Sequence, residues 1–415
     1  MEVLLVALSD DLHEIRALIE SAGYGLAGEF VQHRRYPDPK WFVGKGKLEE
    51  LKTVVKEKLP GAVVFAGALR ANQHHALEKA LQVQCFDRVR VILDIFTQRA
   101  HGREAKLQVE LAMLHYEIPI LKEWIHSASI GERPGFMSGG EYSVDAYYNT
   151  VKRKMKKVQD DLQAVRSERA IRRDRRQDRG FDQVSLAGYA NAGKSSLFNA
   201  LSGESVLVDD RLFTTLSTTT RTLPGGKRRV LLTDTVGFVS DVPLWLVDAF
   251  RSTFEEVFAS DLVLLAIDAS DSTEDVRRKV ELAVSTLVPG IEPGRVQPVL
   301  TKADRADAAA ILRCRDVLQA SPFTRPPRIV STKTKSGLDE LRDAVLEEFQ
   351  YPLELTIHVP NGDKAASFLN WLHERTDVLS VTYPPGGAEV HLRCRERDLS
   401  RIEAVARVLA GPSPI

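Results

Sequence analysis

A glycine-rich octapeptide between a strand-like and a helix-like run constrains this chain more than any other feature. Residues 188–195 read GYANAGKS and match the pattern G-x-x-x-x-G-K-[ST]. They follow the apolar run DQVSLA and open the helical run KSSLFNALSG. In that context the glycines let backbone N–H groups turn inward around phosphates. The octapeptide therefore predicts an α/β domain in which Lys194 reaches the β- and γ-phosphates and Ser195 binds Mg²⁺.

Three further loops follow in the order that a GTPase requires, each after a hydrophobic run that predicts a strand. DTVG follows RVLLT, and there Asp234 is expected to hold Mg²⁺ through water while the Gly237 N–H meets the γ-phosphate. TKAD follows QPVL, and its Asp304 can accept hydrogen bonds from guanine N1–H and N2–H₂. STK (331–333) follows RIV and resembles a loop that braces the base. Because open α/β sheets bind ligands at the carboxyl ends of their strands, the four loops predict one guanine-nucleotide site.

The predicted site can be written residue by residue. The nucleotide is expected to contact Gly188, Tyr189, Ala190, Asn191, Ala192, Gly193, Lys194, Ser195, Ser196, Phe213, Thr214, Thr219, Asp234, Thr235, Val236, Gly237, Thr301, Lys302, Asp304, Ser331, Thr332 and Lys333. The predicted catalytic residues are Lys194 and Gly237. Thr301 stands where the base motif usually has Asn, so an ATP-specific site remains the alternative.

The threonine-rich segment LFTTLSTTTRTL (212–223) suits a switch loop. One of its threonines is expected to bind Mg²⁺ and to sense the γ-phosphate. Chemistry alone does not choose between Thr214, Thr215, Thr218, Thr219 and Thr220.

Two residues bear on catalysis. Phe238 directly follows DTVG, where small GTPases such as Ras carry the glutamine that positions the attacking water. A phenyl ring cannot hydrogen-bond to that water, so unaided hydrolysis is expected to be slow, and Phe238→Ala is expected to leave it largely intact. Asn191 resembles the Asn of potassium-stimulated GTPases. It either helps to place K⁺ against the phosphates or shapes the loop by a hydrogen bond.

The segments on either side of the nucleotide loops predict further domains. VLLVAL, EFVQH and AVVFAG have strand character and alternate with helical runs, of which DDLHEIRALIESAG carries an Asp as N-cap signal. Leu107, Leu111, Leu114 and Ile118, and then Val144, Tyr148, Val151, Met155, Val158, Leu162 and Val165, follow heptad spacing. They predict an antiparallel helical hairpin whose tip lies near 128–140. The C-terminal strands and helices, from LELTIHVP onwards, predict a small α+β domain.

The predicted fold class is α/β with four parts. An N-terminal α/β domain covers 1–103, and the helical hairpin with its glycine-rich tip covers 104–179. A P-loop GTPase domain with a doubly wound, mostly parallel sheet covers 180–349, and the small α+β domain covers 350–415.

Charge and composition limit the possible partners. The formal net charge is zero, so a nucleic-acid surface has to be local. Between Val151 and Arg179 there are twelve Lys or Arg against five Asp or Glu, a local charge of +7. This run is either a solvated helix face or an RNA-phosphate contact, and charge alone leaves both open. The three cysteines form no CxxC pair and no apolar run approaches a membrane span, so we expect a cytoplasmic protein. We also expect it to be a monomer.

The longer motifs resemble the HflX family of translational GTPases. GYANAGKSSLFNALSGESV, LFTTLSTTTRTL, DTVGFVSDVP and LVDAFRSTFEEV carry the resemblance in the GTPase domain. PDPKWFVGKGKLEELK, FDRVRVILDIFTQRAHGREAKLQVELAMLHYEIP and SGGE extend it over the N-terminal half. The family's switch loop commonly reads D-P-T where this chain has STT (217–219), which points to Thr219 as the Mg²⁺ ligand. Its glycine loop often reads G-P-G-E-T where this chain has GGEY (139–142).

The resemblance implies that the protein binds the large ribosomal subunit and that the ribosome stimulates GTP hydrolysis. It also implies that some members of the family split stalled ribosomes. Candidate RNA contacts are Lys152, Arg153, Lys156, Lys157, Gly139 and Gly140. Two other classes stay open: a GTPase that acts in ribosome assembly or on another structured RNA, and a P-loop kinase of small molecules, which TKAD and STK disfavour.

Overall fold

In the part of the chain that the structure describes, the strands form three separate β-sheets. The computed structural model describes residues 1–131, 139–178, 181–203, 219–225, 230–235, 237–238, 243, 245–246, 251–362 and 364–410. The sheets have the strand orders β2-β1-β3-β4, β10-β9-β8-β5-β7-β6 and β11-β13-β12. The first two consist of parallel pairs except for β6, and the third is antiparallel. The predicted fold class is therefore confirmed.

The N-terminal sheet is parallel and is covered by helices. Its elements are β1 (Glu2–Ala7), α1 (His13–Ser21), β2 (Gly25–Val31), α2 (Lys45–Lys58), β3 (Ala62–Phe65), α3 (Ala71–Leu81), β4 (Gln84–Asp87) and α4 (Arg88–Arg99). The central strands β1 and β3 are buried almost throughout, as expected of strands with helices on both faces. Helix α1 has Leu12 at its N-cap without a side-chain cap bond, so the predicted Asp cap is wrong.

Two long helices follow, α5 (Arg103–Gly131) and α6 (Gly139–Asp178). A buried seam joins them and includes eight of the predicted heptad positions, whereas Tyr148 and Val165 are described but lie outside that cluster. It contains Leu111, Leu114, Val151, Val158 and Leu162, with Leu107, Ile118 and Met155 packed against it. Lys154 of α6 forms an ion pair of 2.9 Å with Glu110 of α5. Residues 132–138, within the expected tip, lie outside the described residues.

The central sheet belongs to a doubly wound domain. Its elements are β5 (Asp182–Gly188), α7 (Lys194–Ser202), β6 (Thr219–Thr222), β7 (Val230–Asp234), α8 (Arg251–Phe258), β8 (Leu262–Asp268), α9 (Thr273–Leu287), β9 (Val296–Thr301), α10 (Ala308–Gln319), β10 (Arg328–Ile329) and α11 (Leu338–Glu348). Strand β5 is fully buried between β7 and β8, which lie on opposite sides of it. The sheet order therefore reverses at β5, and this is where open α/β sheets bind ligands.

A small antiparallel domain ends the described chain. It consists of β11 (Leu353–Pro360), α12 (Ala365–Arg375), β12 (Asp377–Thr382), β13 (Gly387–Cys394) and α13 (Glu396–Ala410). Arg395, just before α13, forms an ion pair with Asp182, the fully buried first residue of β5. The Arg395 guanidinium also lies over the Phe349 ring, 5.6 Å from its centroid. These contacts join the C-terminal domain to the amino end of the central strand.

Candidate nucleotide site

The loop after β5 has a backbone that only glycine allows at its two ends. Gly188 has φ +140°, and a Cβ there would lie 2.3 Å from the carbonyl oxygen of Ala266. Gly193 has φ +82° and is the N-cap of α7. Asn191 between them is also left-handed, with φ +62°. These conformations turn the 188–195 loop around the N-terminus of α7, where the helix dipole favours an anion.

The DTVG segment pairs with the phosphate loop through its backbone. Phe238 N–H donates to the Gly188 carbonyl at 2.9 Å, and Ala190 N–H donates to the Phe238 carbonyl at 2.7 Å. A Cβ on Gly237 would lie 2.6 Å from Lys194 Nζ. The Phe238 ring is buried in the hydrophobic cluster that includes Tyr189. The two loops therefore hold each other in place, and Gly237 lies directly against the lysine.

Lys194 is the buried cation of the site. Its ammonium group donates to the carbonyls of Tyr189 at 2.8 Å and Gly188 at 3.1 Å. Burial lowers the pKa of Lys194 to about 8, and the charge of Asp234 opposes this shift only in part. Phosphate oxygens beside the ammonium would favour its protonated form. The protonated form of Lys194 is thus expected to become more stable when an anion binds to the loop.

Two of the predicted Mg²⁺ ligands touch each other. Ser195 Oγ donates to Asp234 Oδ2 at 2.8 Å, where β7 and α7 meet. Thr219 stands opposite Asp234 in the β6–β7 pair, whereas the Thr220 hydroxyl is 3.0 Å from that of Thr233. A hydroxyl and a carboxylate are hard oxygen donors of the kind that Mg²⁺ prefers alongside water and phosphate oxygens. The donor set therefore fits Mg²⁺, although the structure places Thr219 at the start of a strand rather than in a loop.

The base motif is ordered by short hydrogen bonds. Ser331 Oγ donates to Asp304 Oδ1 at 2.6 Å and accepts from Thr334 N–H at 3.1 Å. The Ser331 hydrogen bond, assisted by Lys333 and Arg305, holds the pKa of the Asp304 carboxyl below its usual range. Asp304 is therefore a fixed, ionised acceptor. The STK loop positions it through Ser331.

Thr301 connects the base motif to the phosphate loop. Its hydroxyl lies 2.7 Å from the carbonyl oxygen of Ala192 and 3.1 Å from that of Ile267. Lys302 is left-handed, with φ +52°, and its ammonium forms an ion pair of 2.7 Å with Asp268 at the end of β8. Asp268 was not among the predicted site residues, because a lone Asp at a strand end carries no motif. It fixes the direction of the Lys302 side chain.

The remaining predicted residues fall into two groups. Those in the described part of the chain border the same loops: Tyr189, Ala190, Ala192, Ser196, Thr235, Thr332 and Lys333. Thr235 donates from Oγ1 to the Leu186 carbonyl at 2.6 Å. Phe213, Thr214, Thr215, Thr218 and Val236 lie outside the described residues. In the part of the chain that the structure describes, no group of three or more His, Cys, Asp and Glu could hold a metal ion.

A contact from the N-terminal domain reaches the phosphate loop. The Tyr189 hydroxyl donates to Glu14 Oε1 of α1 at 2.6 Å, and Glu14 also pairs with Arg88 at 2.7 Å. The Lys279 ammonium lies over the Tyr189 ring, 5.0 Å from its centroid. One buried hydrophobic cluster runs from the N-terminal sheet to Tyr189 and into the central domain. Sequence reasoning missed this contact, because Glu14 and Tyr189 are 175 residues apart.

The candidate RNA contacts lie on the second hairpin helix. Lys152, Arg153, Lys156 and Lys157 are all exposed along α6, and Gly139 and Gly140 begin that helix. Across the described residues, no helix has the length and apolar character needed to cross a membrane.

Comparison with protein families matches three consecutive regions. Residues 9–97 match a GTP-binding GTPase N-terminal family, 99–176 a GTP-binding GTPase middle region, and 183–291 a family described as 50S ribosome-binding GTPase. The protein named GTPase HflX from Thermofilum pendens is 39% identical over 397 residues, which span 95% of this chain and 93% of that protein. The chain belongs to the HflX family of GTPases. The resemblance drawn from the sequence motifs is thus confirmed.

Other HflX proteins match over similar lengths. The GTPase HflX of Thermococcus kodakarensis is 40% identical, with 89% of this chain and 85% of that protein covered. The one from Methanocaldococcus jannaschii is 35% identical, with 94% of each chain covered. A solved complex of SsGBP with GDP shares the fold of this HflX-family chain, with a TM-score of 0.51, 24% identity, and coverage of 84% of this chain and 98% of that one.

Proposed function

We propose that this HflX-family GTPase binds GTP and Mg²⁺ in the loops at the carboxyl edge of the central sheet and works as a switch on the large ribosomal subunit. The observation that carries the nucleotide part is the direct connection of four loops. The phosphate loop is bonded to DTVG through Gly188 and Phe238, and to the base motif through Thr301. Asp304 is in turn held by Ser331. Chance similarity would not bring four nucleotide motifs into one hydrogen-bonded unit.

The phosphates are proposed to lie over the 188–195 loop at the start of α7. Backbone N–H groups and the Lys194 ammonium would neutralise the charge that develops on the γ-phosphate during hydrolysis. Gly237 lies against Lys194, and we expect its N–H to contact the same phosphate. Ser195, Asp234 and Thr219 would hold Mg²⁺, the last two directly or through water. Bound there, Mg²⁺ supplies further charge neutralisation.

The residue that follows DTVG has no side-chain group that could position the attacking water. Phe238 has a buried ring and no hydrogen-bonding atom in its side chain. We therefore expect slow turnover in isolation and a partner that completes the site. Asn191 is the candidate for a K⁺-dependent contribution, because its left-handed backbone lies within the phosphate loop. A hydrolysis assay in K⁺ and then Na⁺ decides this: equal rates assign Asn191 a purely structural role.

The proposed partner is the large ribosomal subunit. Support comes from the match of residues 183–291 to a family described as 50S ribosome-binding GTPase, and from the exposed basic face of α6. GTP through Mg²⁺ would order the switch threonines, and GDP would release them. The N-terminal domain and hairpin would contact ribosomal RNA while the protein acts as a cytoplasmic monomer. Splitting of stalled ribosomes is the proposed outcome.

Sedimentation with purified subunits tests the proposal. Protein is mixed with large or small subunits in the presence of GDP, GTP or a non-hydrolysable GTP analogue, and is then centrifuged through sucrose. We expect the analogue to give tight binding to large subunits and GDP to give weak binding. Equal binding with analogue and GDP would refute the switch. Binding only to immature particles or free rRNA would favour the assembly function instead.

A further inference from the structure

A basic, aromatic loop lies on the N-terminal domain, outside the proposed nucleotide site. Residues 34–47, called the 34–47 loop, connect the end of β2 to the first turn of α2. The loop contains Arg34, Arg35, Lys40, Lys45 and Lys47 against a single acid, Asp38. Its formal charge is therefore +4, in a protein whose net charge is zero. A local field of this kind attracts polyanions.

The loop is held in one conformation by its own hydrogen bonds. Phe42, with φ +64°, inserts its ring into the core, edge-on to Phe65 at 5.2 Å. Asp38 and Phe42 exchange two backbone hydrogen bonds, of 2.8 and 3.2 Å. The Asp38 carboxylate accepts from the N–H groups of Lys40 at 2.9 Å and Trp41 at 3.0 Å. The backbone beneath the outer side chains is therefore held in place at 38–42, so a ligand does not have to order that part of the loop.

Aromatic rings alternate with cations along the surface of the loop. Tyr36 is 66% exposed, and the Arg35 guanidinium lies 5.4 Å from the centroid of its ring. Trp41 is half-buried, and the Lys40 ammonium lies 4.8 Å from its ring centroid. Base–aromatic stacking combined with cations that follow the backbone is how proteins bind single-stranded nucleic acid. Each ring–cation pair in the loop has the parts to stack one base and to contact an adjacent phosphate.

The loop fits unpaired RNA better than other polyanions. The large hydrophobic side chains that the described chain exposes include Tyr36, but no aliphatic residue of the 34–47 loop. Insertion among the acyl chains of a membrane, or burial of a wide apolar protein patch, would need exposed aliphatic side chains, which this loop does not offer. Duplex RNA offers phosphates but keeps its base faces stacked inside the helix. An exposed tyrosine ring therefore gains the most binding free energy when it stacks on an unpaired base.

We propose that the 34–47 loop binds an unpaired nucleotide segment of RNA, with one base stacked on Tyr36, a second on Trp41, and the phosphates contacted by Arg34, Arg35 and Lys40. This rests on the proposed ribosomal partner and deepens it, because it names single-stranded RNA as the element that the N-terminal domain recognises. On α6 the Lys152 ammonium lies 5.4 Å from the ring centroid of Tyr148, which is only partly exposed. Arg153, Lys156 and Lys157 have no ring between them, so this face suits the phosphates of a duplex.

Binding of short RNAs to the full-length protein tests the proposal. Fluorescence anisotropy is measured with a labelled twelve-nucleotide oligouridylate, a twelve-base-pair RNA duplex, and poly-glutamate as a base-free polyanion. Tyr36→Ala is expected to weaken oligouridylate binding about tenfold and duplex binding less than about twofold, because a stacked base is lost and no charge changes. Tyr36→Phe keeps the ring and is expected to bind like the parent. Tyr383→Ala is the matched control, since Tyr383 is 76% exposed on the C-terminal domain.

Several results would overturn the proposal. Unchanged oligouridylate affinity in Tyr36→Ala would show that no base stacks on Tyr36. An equal loss of affinity for oligouridylate and duplex would show that the loop contacts RNA through charge alone. Tighter binding of poly-glutamate than of oligouridylate would make an acidic protein the partner. The same variants are sedimented with large subunits and the GTP analogue. Absence of binding by the parent protein in that assay refutes the proposed function, whereas an unaffected Tyr36→Ala in the oligouridylate assay refutes only the loop.

Discussion

At the scale of single residues, the site depends on side chains that are held in place by other residues, within the motifs and, for Lys302, outside them. Asp304 is positioned by Ser331, Lys302 by Asp268, and the phosphate loop by the Thr301 hydroxyl. Thr301 fills the position usually taken by Asn, and it still bonds to the carbonyl of Ala192. The exchange of Asn for Thr therefore keeps the connection between the base motif and the phosphate loop.

Asp304→Asn is expected to change the choice of base. The substitution replaces a carboxylate that can accept from guanine N1–H and N2–H₂, and a hydrogen bond to a charged group is worth about 1.5–3 kcal/mol. GTP affinity should fall at least about tenfold, and xanthosine nucleotides should bind better than before. Equilibrium titration with fluorescent GDP and XDP measures both. Asp316→Asn, an exposed carboxylate on α10, is the control, and an Asp304→Asn protein that still binds GTP normally would refute the assignment.

Lys194 is expected to make nucleotide affinity depend on pH. Its pKa is lowered to about 8 in the free protein, and bound phosphates should raise it again, so binding takes up a proton above that pH. Affinity should be flat below pH 7 and should fall roughly fourfold from pH 7.0 to 8.5, since the free lysine deprotonates in that window. Isothermal titration in buffers of different ionisation enthalpy measures the proton uptake. Lys194→Met should bind weakly and without this dependence; a persisting proton uptake would assign it to another group.

Phe238 shows where residue types alone were misleading. Comparison with Ras indicated a ring without chemical function, and this is why Phe238→Ala was expected to be harmless. In the structure the ring is buried beside Tyr189, and its backbone bonds to Gly188 and Ala190. Removing a buried Phe ring costs about 3–5 kcal/mol, so the variant should now lose stability and disturb the phosphate loop. A ring's packing cannot be derived from the identity of its neighbours in sequence.

At the scale of helices and strands, elements with long sequence patterns could be predicted, whereas very short strands could not. The heptads of the hairpin have strong periodicity, and the buried strands β1, β3, β5 and β9 are mostly apolar runs; each was expected from the sequence. The four-residue strands β4 and β6 were missed. β6 reads TTRT, lies at the sheet edge and has no buried side chain, so nothing in its composition distinguishes it from a switch loop. Short edge strands are defined by their neighbours rather than by their own residues.

The basic face of α6 should account for part of the salt dependence of ribosome binding. Lys152, Arg153, Lys156 and Lys157 are exposed and lie within two turns. Replacing all four with Ala should flatten the slope of log affinity against log salt by about 3, because each phosphate contact that is lost no longer releases a counterion. GTP affinity in isolation should stay unchanged. Sedimentation at several KCl concentrations measures the slope; an unchanged slope would place the RNA contact elsewhere.

At the scale of the whole molecule, specific polar contacts between domains add to the hydrophobic cluster that runs from the N-terminal sheet into the central domain. The N-terminal domain contacts the phosphate loop through the hydrogen bond between Tyr189 and Glu14, which could not be predicted from the sequence. The C-terminal domain reaches the central sheet through Arg395 and the buried carboxylate of Asp182. Because burying a carboxylate without its partner is costly, the boundaries expected from composition are not the best places to cut the chain.

An isolated GTPase domain should bind GTP but lose ribosomal stimulation. Residues 181–349 include the nucleotide loops and exclude the proposed RNA contacts. Residues 181–410 also keep Arg395, and this longer fragment should unfold at a temperature several degrees higher, since a broken buried pair costs about 3–5 kcal/mol. Differential scanning calorimetry and a phosphate-release assay with large subunits measure the two effects. Stimulation of either fragment as strong as that of the full chain would remove the N-terminal domain and hairpin from the mechanism.

A different domain contacts each end of strand β5. Asp182, its first residue, is tied to Arg395, and Tyr189, the residue after its last, is tied to Glu14. An extended strand cannot lengthen, because at about 3.3 Å per residue its backbone is already close to its full reach. The strand therefore keeps its two contacts with the N-terminal and C-terminal domains at a fixed separation. The phosphate loop lies at the end that contacts the N-terminal domain. Any force that pulls those domains apart would put mechanical tension on the residues proposed to hold the phosphates.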